Sequence, residues 1–301
     1  MALDSMQEIF DKIHAEHKSF WEVVRDTDVE EREVTPEQSF EKVRATWRAM
    51  LETDTSYRDD RRSLSGLVGG DGRKMRDYAA VGKTISGSFL SEVIAVALCT
   101  GESNACMRRI VAAPTAGACG VLPAVLIPMW WQEEMPEEEM IQVLYVAAGI
   151  GAVIGFRAGI SGAAGGCQAE IGTASAMAAG ALTALRGGTP EQIGHAVAMA
   201  LKNLLGLICD PVAGLVEVPC VKRNVVGAVN AVSCADMALA GVTSRVPVDQ
   251  VIDCMGEVGR RMPVEFRETA LGGLAATPFG LEIKEQLKAR EQDGGSSAPM
   301  R

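Results

Sequence analysis

Between Ile141 and Leu185 the chain runs for 45 residues with two charges, Arg157 and Glu170, and 22 of the 45 are Gly or Ala. A helix on a protein surface shows a polar face. This stretch shows none, so it is read as helices at the centre of a globular core. It is long enough to cross a bilayer, but Arg157 interrupts it and no basic anchor flanks it, which argues against a membrane partner. Gly151, Gly155 and Gly159 stand four apart and predict helices touching backbone to backbone. Aromatics supply only 5% of the residues against 48% apolar overall. Ala, Val, Ile, Leu and Met must therefore fill the core.

No sustained period-2 pattern interrupts the rest, and the expected fold class is mainly α. Met6–Val24 places Ile9, Phe10, Ile13, Phe20, Trp21 and Val24 at helical spacing, followed by an acidic linker. Thr35-Pro36-Glu37-Gln38 reads as an N-cap with Pro at the first helical position and Gln at the third. Phe40, Val43, Trp47 and Met50 line the helix it starts. These two helices are expected to form an N-terminal extension, residues 1–57. A charged hinge, Arg58–Arg62, opens the main domain at 58–290, and a small polar tail at 291–301 is expected to be disordered. Within the main domain, helices are expected over Val81–Thr100, after Pro136, from Thr189 to about Leu205, and over Asn224–Val242.

The net charge of -10 leaves no basic face for nucleic acid. The first residues, MALDSMQEIFDKIH, lack the basic start and apolar run of a signal peptide. Eight cysteines in such a chain point to a reducing cytosol, where thiols stay free. Five of them (Cys99, Cys106, Cys119, Cys234, Cys254) have no ligand context and are read as buried free thiols.

Two nucleotide motifs fail on inspection. VGKT at 81–84 ends like a phosphate-binding loop, but its first glycine would fall at Asp77. GIGAVIG at 149–155 has the wrong glycine spacing and no preceding strand. The loop SLSGLVGGDGRKM, 63–75, is more informative. Gly66 and Gly70 free backbone N–H groups to converge on an anion, with Ser63, Ser65, Asp71 and Lys74 beside them. AAPTAGACGV, 112–121, offers Thr115 and Gly117 in a second pocket. Together they suit a small carboxylate ligand.

Cys167 in GGCQAEIG, Cys209 in GLICDPVAG and Cys220 in VEVPCVKRN lie 42 and 11 residues apart. That is too wide for paired zinc or thioredoxin-like motifs. Gly165-Gly166 leaves room beside Cys167, and prolines stiffen the chain at the other two. Soft thiolates favour an iron–sulfur cluster or zinc over a hard ion. Spacing does not separate those two, and purely structural thiols are the third reading.

From about Ser63 to Lys284 the chain resembles the alpha subunit of the bacterial iron–sulfur L-serine dehydratases. The resemblance rests on SLSGLVGGDGRKM, APTAGACGVLP, GAAGGCQAEIGTASAMAA and KNLLGLICDPVAGLVEVPCVKRN. It implies a 4Fe-4S cluster held by Cys167, Cys209 and Cys220, with one iron lacking a protein ligand. It implies elimination of water from L-serine, giving pyruvate and ammonia, and a separate beta subunit in a hetero-oligomer. Some single-chain relatives end in a cysteine that folds onto the open iron. Here the last cysteine is Cys254, so an open or water-bound, oxygen-sensitive iron is expected. Lys74 is the candidate base if burial lowers its pKa. His14 and His17 lie outside the motifs, and His195 on an apolar helix reads as a core histidine. A base from the partner chain is the other option. Two rival readings are a pyridoxal-phosphate dehydratase, with Lys74 as its Schiff-base lysine, and a non-catalytic helical scaffold or membrane protein.

Overall fold

The computed structural model describes residues 3–294, with side chains to 292. Thirteen α-helices follow in order: α1 (Met6–Glu16), α2 (Phe20–Arg32), α3 (Pro36–Thr55), α4 (Asp71–Ala80), α5 (Gly87–Ala105), α6 (Val121–Glu133), α7 (Glu137–Arg157), α8 (Gly162–Gly165), α9 (Thr173–Leu185), α10 (Pro190–Asn203), α11 (Cys220–Leu239), α12 (Val248–Arg261) and α13 (Pro278–Gly294). No strand forms among the described residues, and the mainly α expectation holds.

Helix α9 is the axis. Every residue from Thr173 to Thr183 is buried, and most are Ala, Gly, Ser or Thr. Small side chains let α6, α7, α10 and α11 close around it on all sides. Helix α5 packs on α11 and α6, and α4 packs on α5. One helix, α7, is long and apolar enough to cross a membrane, and 61% of its most apolar window is buried within the fold. The charge-poor run of 141–185 is thus the hidden middle of a helical bundle.

Several local expectations change. The glycine close approaches on α7 fall at Gly149 and Gly151 instead of the four-apart set. A Cβ on Gly149 would lie 2.5 Å from Val24 Cγ2, and one on Gly151 3.0 Å from Met177 Sδ. Gly155 meets only Ile160 at 3.8 Å, and Gly159 faces open space. The expected Met6–Val24 helix breaks at His17, which takes a left-handed φ of 54°. Ser19 then restarts the chain with a capping box to Glu22, so the acidic linker is helical to Arg32. Its charges pair along the surface, Arg32 with Asp28 and Arg25 with Asp26. Thr35 and Thr189 both cap as expected, each with a Gln at N3. The second half of the 63–75 loop is the first turn of α4, and α5 begins at Gly87 instead of Val81.

Helices α1–α3 send Met6, Ile9, Phe20, Val24, Trp47 and Met50 into the same apolar cluster as α7, α9 and α10. Of the expected tail, 291–294 continue α13, and 295–301 lie outside the described residues.

Candidate active site around three cysteines

The three cysteines enter from three directions. Cys167 follows α8 and precedes a π-helical turn, Gln168–Gly172, that leads into α9. Such turns recur at functional sites. Gly166 has a φ of +74°, and a Cβ there would lie 2.6 Å from Met262 Sδ, so only glycine fits. Cys209 sits in the connection after α10. Its N–H donates to Phe266 O at 2.8 Å, and its carbonyl accepts from Glu268 N at 2.9 Å. Cys220 is the first residue of α11, where the helix N-terminus favours a thiolate.

The thiols of these residues lie within one electrostatic neighbourhood. Burial pushes the Cys167 thiol up to about 11, with Arg223 working against it. Burial pushes Cys220 up to about 12, and Cys167 and Glu170 add to the rise. Cys209 is raised too, by burial and then by Cys167, Glu170, Glu268 and Cys220. Three raised thiols facing one another disfavour free thiolates and suit a cationic group that takes them up together. Among the described residues, no three Cys, His, Asp or Glu side chains form a group that could hold a metal ion as they stand. One zinc, with Zn–S of about 2.3 Å, would need sulfurs about 3.8 Å apart. Three soft sulfur donors are the kind of ligand set that iron–sulfur clusters take.

Arg223 is the cation of the site. It donates to Ile208 O at 2.8 Å, to Asp210 Oδ1 at 2.8 Å and to the Cys167 sulfur. Burial works against its charge, yet Cys167 and Asp210 hold its pKa above the usual arginine value. Asp210 is buried, and its Oδ2 accepts from Leu274 N at 2.9 Å. That bond ties down a strap, residues 264–276, which crosses the site. Left-handed Glu268 and Ala270 (φ 62° and 54°) lie on this strap, and left-handed Ala213 (φ 54°) lies on the facing loop. Non-glycine residues rarely hold this conformation, and clusters of them mark sites where the surroundings enforce it.

Glu170 stands in the π-helical turn between the thiols and the Thr115 loop. Burial raises its pKa first, the Thr115 hydroxyl works against that, and Glu268 adds to it. Thr115 Oγ1 is buried beside it without a well-formed hydrogen bond. A Cβ on Gly162 would lie 2.7 Å from Glu170 Oε2, and one on Gly117 would lie 3.5 Å from Oε1. Gly162 therefore leaves the carboxyl its space, while the Gly117 distance is an ordinary contact.

The two glycine loops have different fates. Asn224 of α11 accepts from Gly120 N at 2.8 Å and donates to Gly117 O at 2.8 Å and Cys220 O at 2.9 Å. It fastens Thr115 and Gly117 beside the cysteines. In the other loop, Ser63 Oγ donates to Glu217 Oε2 at 2.6 Å, and Ser65 Oγ donates to the same oxygen. Glu217 is buried just before Cys220. These hydroxyls thus clamp the Cys209–Cys220 loop, and their protons are committed to it. Gly66 is left-handed and faces open space. Gly70 is left-handed, buried, and caps α4; the next residue, Asp71, pairs with Lys74 at 2.8 Å and with Lys222 at 3.0 Å. Lys74 is 77% exposed, so the burial that would make it a base is absent. His195 lines a separate cavity with α1 and the α11–α12 connection.

Sequence reasoning does not single out Glu170, Asp210, Glu217, Arg223, Asn224 or Glu268 as site residues. The signal for Glu170 was present: it is the one acidic residue of the charge-poor run. Arg223 and Asn224 stand in the KRN that follows Cys220.

The packing behind Cys167 gives a direct test. A Cβ on Gly259 of α12 would lie 2.8 Å from Gly165 Cα, a backbone atom two residues before Cys167. Gly259→Ala gains about 1 kcal/mol of helix propensity and loses about 1–3 kcal/mol to overpacking. A net fall in stability on chemical denaturation is expected; a gain would show that α8 yields freely.

Fold and site together define an all-α protein with three neighbouring thiols, two of them buried, flanked by a carboxyl group and a guanidinium. The family model for the serine dehydratase alpha chain matches residues 15–275. The chain is 53% identical over 225 residues to the probable L-serine dehydratase, alpha chain, of Bacillus subtilis (strain 168), covering 75% of each. It is 41% identical over 286 residues to the L-serine dehydratase, alpha chain, of Peptoniphilus asaccharolyticus, covering 95% of this chain and 98% of that one. Against the L-serine dehydratase TdcG of Escherichia coli (strain K12) it is 48% identical over 181 residues, 60% of this chain and 40% of that one. The chain belongs to the serine dehydratase alpha-chain family.

Proposed function

We propose that the chain is the cluster-bearing alpha subunit of an L-serine dehydratase, a lyase that converts L-serine to pyruvate and ammonia. The observation that carries this reading is that Cys167, Cys209 and Cys220, from distant parts of the chain, lie near enough to act on one another electrostatically in a member of this family. The three cysteines would hold a 4Fe-4S cluster. When bound, it supplies an electrophilic iron without a protein ligand, which eases departure of a poor leaving group such as hydroxide.

The chain's own residues do the rest. Arg223 offsets the thiolate charge at Cys167. Asn224 and the Ser63–Glu217–Ser65 clamp hold the cysteine-bearing segments together. The Thr115 hydroxyl, buried beside Glu170 without a well-formed hydrogen bond, is the donor of this loop that a substrate carboxylate would engage. In the 63–74 segment the N–H groups of Gly66, Asp71 and Lys74 already donate within the chain, to Ser63 O, Glu102 Oε1 and Gly70 O, and Gly70 is buried, so any contact this segment makes with a partner chain would use its exposed side chains. That partner is read as a beta subunit, since two of the relatives above are named as alpha chains. Exposed Leu64, Val216, Leu271 and Leu274 lie on the loops and strap of this side and suit such a contact. The working compartment is read as the cytosol, where a thiol-held cluster stays reduced.

An anaerobic iron and sulfide count on wild type and Cys167→Ser tests the reading. About four irons per chain, with a visible charge-transfer band lost in the variant, is the expected result. A colourless, iron-free protein that is active with pyridoxal phosphate and is trapped by borohydride would overturn it.

A further inference from the structure

We propose that Glu170 is the catalytic base of this site, the group that takes the proton from C2 of the substrate. The inference rests on the serine dehydratase reading above and names a residue for a step that reading leaves open.

The argument is one of placement. Elimination needs a proton acceptor close to the thiol trio. Lys74 is exposed and paired with Asp71. His195 belongs to another cavity, and His14 sits on α1 beside Glu191. Asp210 is held by Arg223 and by Leu274 N. Glu268 shares the neighbourhood, but it is exposed on the strap. Glu170 is three residues past Cys167 and acts electrostatically on all three thiols. It has no salt-bridge partner among the described residues. Gly162 stands where a side chain would collide with its Oε2, and Gly117 borders Oε1 at ordinary contact distance. A carboxylate kept close to the thiols, free of a cation and given room at Gly162 is arranged to receive a proton.

The step balances with one carboxylate. The C2–H bond breaks, the proton goes to Glu170, and the electron pair forms the C2–C3 double bond. The C3–O bond breaks with its pair on oxygen. Glu170 then returns the proton to that oxygen, so water and 2-aminoacrylate leave and the carboxylate is regenerated. Hydrolysis of the tautomeric imine gives pyruvate and ammonia.

The test is Glu170→Gln in the holoenzyme, which keeps the side chain's shape. Iron and sulfide content, the visible spectrum and its change on adding L-serine should match wild type, while kcat falls about 10²–10⁴-fold and KM moves little. Glu170→Asp should recover part of kcat. Retention of kcat within tenfold in Glu170→Gln would overturn the proposal. So would loss of iron in that variant, which would make Glu170 a support for the cluster. If wild type carries its cluster yet yields no pyruvate from L-serine, the serine reading itself has failed, a result separable from the other two.

Discussion

Arg223→Leu lowers the unfolding free energy by about 3–5 kcal/mol, the cost of stranding one half of a buried ion pair. The partner is Asp210, whose side chain is 4% exposed against 15% for Arg223. After substitution Asp210 keeps one donor, Leu274 N, and loses the guanidinium on its other oxygen. Ile208 O loses its donor as well. A lysine at 223 reaches one acceptor, not three, so Arg223→Lys should recover little. Adding Asp210→Asn to Arg223→Leu should return part of the loss, because the stranded charge is gone. Urea unfolding of wild type, Arg223→Leu, Arg223→Lys, Asp210→Asn and the double variant measures this. Strictly additive losses would sink the argument. The same substitution strips the one cation from the Cys167 sulfur, so iron retained per chain should fall in parallel.

Trp47→Ala is expected to cost about 3–5 kcal/mol and to do so across the whole molecule. Trp47 is fully buried, and its ring meets Trp130 of α6 edge-on at 5.8 Å. The substitution empties a cavity between the N-terminal helices and the core. Around it, Ser39 of α3 shares a buried hydrogen bond of 2.6 Å with Tyr145 of α7. Gly149 of α7 is the point at which Val24 of α2 comes closest. One transition, shifted as a unit in both circular dichroism and tryptophan fluorescence, is the expected outcome. Two separated transitions would mean that α1–α3 unfold by themselves.

What could be read from the sequence follows the range of the interaction. The caps at Thr35 and Thr189 were legible because donor and acceptor sit three residues apart. The buried central helices were legible because a missing polar face is a local property. The break at His17 was not, since the apolar spacing of α1 continues in phase into α2. Lys74 looked like a base beside glycines, but its exposure depends on where α4 docks against α5. Ser63 and Ser65 looked like free donors, and the residue that claims them, Glu217, is 154 and 152 positions away. Glu170 was visible as an isolated charge, but its meaning came from Gly162, Gly117 and the strap. A single chain without relatives carries no signal for such distant pairs.

The opening turn of α11 makes four separate attachments. Cys220 faces the thiols, Lys222 reaches Asp71 on α4, Arg223 reaches Asp210 and Cys167, and Asn224 grips the Gly117–Gly120 loop. Lys222 lies about 200° round the helix from Cys220, and Arg223 and Asn224 follow about 100° further each. Deleting or inserting one residue here would rotate all four away from their partners at once. Length changes should therefore be excluded from this turn over evolutionary time, even where individual side chains are exchanged.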